Sequence, residues 1–92
     1  MSIFVTIVQR IIKEQELVIG PLAWEEAQKV KGLKVDRKKD QVVFEDKEVA
    51  VIERLVKQYE RLFGRASVEV CKDAVKDIVY DMPKDQVPAI LK

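Results

Sequence analysis

The clearest helical pattern in the chain covers residues 46–64, where apolar positions recur every three or four residues and charged positions fill the opposite arc. The apolar side of this stretch contains Val49, Val51, Ile52, Leu55, Val56, Tyr59, Leu62 and Phe63. Asp46 is predicted to cap the amino end, because a carboxylate can accept from the free amides of a first turn. Gly64 suits the residue that ends such a helix. A helix of this length needs neighbours to cover its apolar side.

A first helix is predicted from Ser2 to about Glu16, and its apolar arc is broader than a surface helix requires. The arc contains Ile3, Phe4, Val5, Ile7, Val8, Ile11, Ile12 and Val18. Three hypotheses explain this breadth: a central helix covered on two sides, a face against a second subunit, or a helix lying on a membrane. The last is disfavoured because the polar face has no cationic excess.

The remaining segments predict two further helices and a hairpin. After Gly20-Pro21, a short helix is predicted from Leu22 to Lys31, and its Trp24 is expected to be a core or rim anchor. Alternation of apolar and polar residues over 33–45 predicts two short strands joined by a loop of about four residues. The alternating apolar positions are Leu33, Val35, Val42 and Phe44.

A fourth helix is predicted from Ser67, acting as its cap, to about Asp81. The short link before it should make the third and fourth helices packed neighbours. The tail after Pro83 carries three large apolar residues, Val87, Ile90 and Leu91, which are expected to dock on the core; the alternative is that they stay available to a partner. The sequence therefore predicts a mainly α (α+β) fold: one compact four-helix domain spanning 1–92, in the order helix, helix, β-hairpin, helix, helix, with a short C-terminal tail.

Composition narrows the functional classes. The 92 residues are 48% apolar and 36% charged, with a formal net charge of +1, so charge provides no overall attraction to nucleic acid or anionic membrane. The single cysteine excludes an internal disulfide and fits a cytoplasmic location. The sequence shows neither an apolar run long enough to span a bilayer nor a secretory signal.

The residue types also argue against catalysis. The chain has no histidine, which removes the commonest general base and metal ligand. Cys71 lies on the apolar side of the fourth helix and is expected to be structural. Asp73, Asp77 and Asp81 are interleaved with lysines and are expected to form a solvated face. We therefore predict no enzyme activity, no catalytic residues, no cofactor and no metal site.

One segment departs from this balance of charge. Residues 29–39 contain six basic groups and one acidic group, so they carry +5 while the rest of the chain carries −4. The six are Lys29, Lys31, Lys34, Arg37, Lys38 and Lys39. These side chains are candidate contacts for an anion or nucleic acid. The competing hypothesis is a solvated turn that keeps an edge strand from aggregating.

The leading functional hypothesis is a small, non-catalytic protein-interaction or regulatory module that associates with itself, as a homodimer, or with a protein partner. The candidate interface residues are Phe4, Val8, Ile12, Ile90 and Leu91, from the first helix and the tail. The alternative is a nucleic-acid-binding domain that uses the basic segment 29–39. No aromatic residue lies between Trp24 and Phe44 to stack on bases, which weakens the alternative.

Overall fold

The predicted order of helix, helix, hairpin, helix and helix is confirmed by a computed structural model, which describes residues 2–92. The elements are α1 (Ile3–Ile19), α2 (Leu22–Gln28), β1 (Leu33–Asp36), β2 (Gln41–Phe44), α3 (Glu48–Phe63) and α4 (Ala66–Asp81), followed by two short 3-10 turns (Lys84–Gln86 and Ala89–Leu91).

The carboxyl ends of α1 and α2 lie three residues from the predicted ends. α1 begins after Ser2, whose hydroxyl accepts from the Phe4 N–H at 3.1 Å, and it continues to Ile19, three residues beyond the predicted end. It ends at Gly20, where a φ of 69° favours glycine. α2 ends at Gln28, earlier than predicted.

The predicted caps of α3 and α4 are wrong. Lys47 occupies the capping position of α3, while the Asp46 carboxylate accepts from the Lys47 N–H at 2.8 Å and pairs with Arg54 at 3.0 Å. α4 begins at Ala66, so Ser67 lies inside the helix, where it is buried. A polar residue near a helix start is therefore not always the cap.

The hairpin has the predicted strands and the predicted four-residue loop, 37–40. Its strands are antiparallel, with Leu33 opposite Phe44 and Val35 opposite Val42. The loop lies along α1, because the Gln9 Nε2 donates to the backbone carbonyl of Asp40 at 2.7 Å. The hairpin therefore covers one side of α1, and this hydrogen bond fixes the loop against the helix.

α4 runs antiparallel to α1 and packs against both α1 and α3. Two contacts fix its direction: Arg10, in the middle of α1, pairs with Asp77 near the end of α4, and Gln15, closer to the end of α1, reaches the Ser67 carbonyl near the start of α4. The buried side chains of the helices and hairpin form one core cluster. The largest side chains with no exposed surface are Ile7, Ile11, Ile12, Ile52, Leu55 and Tyr59.

The predicted docking of the tail is confirmed. Val87 and Leu91 are buried, and Ile90 is partly buried against the core. The second 3-10 turn contacts α3 and α4, and its Ala89 N–H donates to the Glu53 carboxylate at 3.1 Å.

Candidate functional site

One end of the helical bundle exposes a group of large apolar side chains, which we call the apolar end. Its members and their exposed fractions are Leu17 (80%), Val18 (65%), Leu22 (44%), Leu62 (42%) and Phe63 (37%). They come from the end of α1, the start of α2 and the end of α3. A fully folded chain therefore leaves hydrophobic surface uncovered at this location.

Two long-range hydrogen bonds bring these segments to the same end. The Gln15 Nε2 donates to the Ser67 carbonyl at 3.0 Å, which places the end of α1 beside the start of α4. The Tyr59 hydroxyl donates to the Ala23 carbonyl at 2.6 Å, which places the end of α3 beside the start of α2. Because α3 and α4 are joined by a short link, all four helices have a terminus here.

The apolar end is a continuation of the hydrophobic core. Val18 extends the α1 stripe that includes Ile11, which is completely buried, and Leu62 and Phe63 extend the α3 stripe that includes Tyr59. The periodicity predicts that these end residues are covered, yet more than a third of each is exposed. The apolar sides of α1 and α3 thus extend beyond the neighbouring elements that cover them.

Two other residues predicted to be on covered faces are also more than a third exposed, namely Ile3 in the first turn of α1 and Val49 in the first turn of α3. Single exposed apolar residues are common in folded proteins. Five large ones near helix termini at one end are less usual, and exposed apolar surface of this kind is often functional.

The charges beside the apolar end are separated by sign. Residues 14–25, which form the α1–α2 corner, include Glu14, Glu16 and Glu25 and no basic residue. Residues 61–68, which form the α3–α4 corner, include Arg61 and Arg65 and no acidic residue, and they are bordered by Glu60 and by Glu69, which lies 3.7 Å from Lys72. The site is therefore an apolar surface with an acidic corner and a basic corner.

The predicted interface residues are largely covered by the protein's own chain. Val8 and Ile12 have no exposed surface and Leu91 is 4% exposed, while Phe4 and Ile90 are partly buried against the core. Apart from Ile3 and Val18 at its two ends, the broad apolar arc of α1 is covered within the chain by α2, α3, α4 and the hairpin, as in the hypothesis of a central helix. Val8, Ile12 and Leu91 therefore belong to the protein's own core, and Phe4 and Ile90 pack against it.

The basic segment 29–39 is partly neutralised by acidic neighbours. Its pairs are Lys29 with Glu26 at 3.0 Å, Lys34 with Glu45 at 3.3 Å, and Arg37 with Glu16 at 2.8 Å. Lys31, Lys38 and Lys39 are exposed, and none of the three has an acidic partner within 4.0 Å among residues 2–92. The six predicted contact residues do not act as one unpaired basic surface.

A polar cluster that the sequence did not indicate links α2 to α3. Glu26 is buried, and its carboxylate accepts from Lys29 Nζ at 3.0 Å and from Gln58 Nε2 at 2.9 Å. The hydrogen bond from Lys29 is the main reason that the pKa of Glu26 lies below its usual value, and the bond from Gln58 acts in the same direction. The spacing of Glu26 and Lys29 was visible in the sequence, but the contact with Gln58 was not.

The single thiol of the chain is enclosed in the core. Cys71 has no exposed surface, and burial raises the pKa of its thiol to about 11. The Gln15 Nε2 donates to its sulfur at 3.3 Å and lowers the pKa, but by less than burial raises it. Trp24 is also buried, as expected for a core anchor.

The acidic residues of α4 are spread along an exposed face. Asp73, Asp77 and Asp81 are exposed, and Asp77 pairs with Arg10 at 3.0 Å. Across residues 2–92, no three acidic or cysteine side chains converge as metal ligands would.

A shallow groove of about 430 Å³ lies at the opposite end of the molecule. Its lining residues are Val79, Tyr80, Met82, Lys84, Val87 and Lys92. Tyr80 is 88% exposed, so the groove is open to solvent on that side. Its walls are mostly apolar, but Asp81 and Asp85 next to it in sequence offset the two lysines, so charge does not select a ligand.

Comparisons of the chain with protein-family models, with curated proteins and with solved structures find no match. No helix within residues 2–92 combines the length and the apolar content needed to cross a bilayer.

Proposed function

We propose that the protein is a small, non-catalytic cytoplasmic module that associates with a second copy of itself through the apolar end. The observation that carries this proposal is the exposure of Val18, Leu62 and Phe63, which extend the core stripes of two helices into solvent. Covering such surface is favourable because it removes apolar groups from water. A second copy provides an equivalent apolar surface by symmetry.

The size and surroundings of the apolar end support this proposal. A standard interface buries about 800 Å² on each partner, with an apolar centre and a polar rim. The five apolar side chains suit the centre, and the charged corners suit the rim. The net charge of +1 adds little repulsion between copies.

The non-catalytic part of the proposal is supported by the chemistry of the side chains. The sequence contains no histidine, and the buried Cys71 has a raised pKa that keeps its thiol protonated near neutral pH. The proposal requires no cofactor or metal.

Sedimentation equilibrium over a range of concentrations tests the proposed self-association. We expect a reversible dimer for the parent chain, and a shift to monomer when Leu17 and Val18 are both changed to Glu, because these are the most exposed residues of the apolar end. Val43→Glu is the matched control, since Val43 is 53% exposed on the hairpin, outside this surface. A parent chain that is strictly monomeric at about millimolar concentration, where even weak complexes form, rejects the proposal.

Binding of nucleic acid is the second proposal, and the observation in its favour is that Lys31, Lys38 and Lys39 remain exposed and unpaired among residues 2–92. Titration of DNA and of RNA at two salt concentrations tests it. Changing Lys38 and Lys39 to Ala should weaken binding and reduce its salt dependence, whereas changing Lys57 and Lys76 to Ala on other exposed surfaces should not. No binding at low salt rejects this second proposal.

A further inference from the structure

We infer that the two copies meet about a twofold axis, with the α1–α2 corner of one copy against the α3–α4 corner of the other. This inference rests on the proposed self-association through the apolar end, and it adds the orientation of the pair. The evidence is the separation of charge between the two corners, both of which flank the apolar side chains.

The corner charges are available for contacts with another chain. Glu14, Glu25, Arg61 and Arg65 are all exposed, and none has an oppositely charged partner within 4.0 Å among residues 2–92. Arg61 donates to the Gln58 side chain at 3.1 Å and its charge helps to lower the pKa of Glu26, although Arg61 forms no direct ion pair among residues 2–92. Glu16 is different, because it already pairs with Arg37 at 2.8 Å.

Symmetry and charge together select one arrangement. A twofold pair that meets end to end can place like corners or unlike corners opposite each other. Like corners would bring Glu14 and Glu25 towards the same acids of the second copy, and juxtaposed like charges oppose association. Unlike corners bring these acids towards Arg61 and Arg65 instead. Because the twofold axis repeats every contact, both corners of each copy are then matched.

The apolar centre and the charged corners have different roles in this arrangement. Burial of the five apolar side chains supplies affinity, while rim charges set orientation and the rate of encounter. Exposed charges are screened by salt. Self-association should therefore weaken moderately, without disappearing, as salt concentration rises.

Charge exchange tests the inference. One variant carries Arg61→Glu and Arg65→Glu, so both of its corners are acidic; the second carries Glu14→Lys and Glu25→Lys, so both of its corners are basic. Each variant alone should show a Kd for self-association raised about tenfold or more, because unlike corners have become like. An equimolar mixture should restore association as mixed dimers, with a Kd within a few-fold of the parent value, since every corner again meets its opposite.

Native mass spectrometry distinguishes the mixed dimer by mass, and sedimentation gives the Kd values. The matched control combines Lys76→Glu with Asp85→Lys, which reverses two exposed charges outside the corners and should leave the parent Kd unchanged. Circular dichroism and thermal unfolding report whether each variant is folded. If a double variant does not fold, the single variants Arg65→Glu and Glu25→Lys follow the same logic with smaller changes.

The outcomes separate the inference from the proposal on which it rests. A monomeric parent chain overturns both. A dimeric parent whose charge variants associate as tightly as it does, or whose mixture forms no mixed dimers, overturns the corner pairing and leaves self-association in place. Weakened association of each variant by itself, together with recovery in the mixture, supports the unlike-corner arrangement, because in a like-corner arrangement each variant by itself would keep the parent Kd.

Discussion

The hydroxyl of Tyr59 donates a 2.6 Å hydrogen bond to the backbone carbonyl of Ala23, and neither residue has exposed surface. This bond joins α3 to the first turn of α2 and lies one helical turn from Phe63. Burial raises the pKa of Tyr59, so the hydroxyl keeps its proton and remains a donor. The bond therefore positions one side of the apolar end.

Tyr59→Phe should lower the free energy of unfolding by about 1–2 kcal/mol, because it removes the donor and leaves a buried carbonyl with one partner fewer. Urea unfolding at low protein concentration measures the change. Tyr80→Phe is the matched control, since Tyr80 is 88% exposed and its hydroxyl should contribute little. Equal effects of the two substitutions would contradict the role given to Tyr59.

Gly32 is required both for its backbone conformation and for the absence of a side chain. Its φ is 86°, and an added Cβ would lie 2.9 Å from the Asp46 Cβ and 3.0 Å from the Val51 Cγ2. Gly32→Ala should therefore cost about 2–3 kcal/mol in free energy of unfolding, more than backbone strain alone.

Gly64→Ala provides the comparison for Gly32→Ala, because Gly64 has the same φ of 86° and no atom within 4 Å of an added Cβ. It should cost about 1–2 kcal/mol, from backbone strain only. Thermal and urea unfolding of the two variants give the difference, which measures the steric part. A larger loss for Gly64→Ala would show that the packing at Gly32 has been misjudged.

Cys71 should react slowly with thiol reagents in the folded protein. Burial raises the pKa of its thiol from 9.0 to about 11, which lowers the thiolate fraction near pH 8 by roughly 100-fold before access is considered. A colorimetric disulfide reagent should modify the native chain slowly and should titrate one thiol per chain in denaturant. Rapid modification of the native chain would contradict the enclosed position of this residue.

Glu26 should make stability fall at acidic pH. Its pKa in the folded chain lies below the ordinary value of 4.5, chiefly through the Lys29 hydrogen bond, so its contribution is fully present above pH 4.5. That contribution is lost as the pH falls below 4.5 through the folded-state pKa, because the proton then binds at the cost of the ionised form's hydrogen bonds.

Unfolding of the parent and of Glu26→Gln between about pH 6 and pH 3 tests this dependence. The variant should be less stable than the parent at the upper end, and its stability should depend less on pH. Asp73→Asn is the control, because Asp73 is exposed and lacks an ion pair among residues 2–92. Parallel pH curves for the parent and Glu26→Gln would show that Glu26 does not contribute in this way.

The elements could be predicted from the sequence because each is amphipathic with its own period. Leu33, Val35, Val42 and Phe44 alternate as strand residues do, and the observed register pairs Leu33 with Phe44 and Val35 with Val42. The caps were less predictable. Ser67 and Asp46 both suit a cap chemically, but the local path of the chain gives Ser67 a buried place inside α4 and directs Asp46 towards Arg54.

The extent of burial along each helix could not be predicted. Periodicity identifies which side of a helix faces inwards, but it does not indicate where a covering neighbour ends. Val18 and Phe63 match the apolar stripes of their helices, and yet both are exposed because the neighbouring helices stop near them. The candidate site was thus hidden among residues predicted to belong to the core.

Ion pairs between distant residues also neutralise part of the basic segment 29–39 in the folded chain. Composition alone predicted a positive hairpin loop, but the loop lies on α1, where Glu16 meets Arg37 and Lys13 meets Asp40 at 2.8 Å. These pairs join residues that are distant along the chain, and a single sequence does not indicate them.

The contact between Arg10 and Asp77 joins the first helix to the last across most of the chain. A ribosome therefore completes α1, α2 and α3 before it begins α4, which covers part of the apolar side of α1, and that part stays open to solvent or to chaperones during the interval. Closure of the core must therefore wait until α4 has been synthesised.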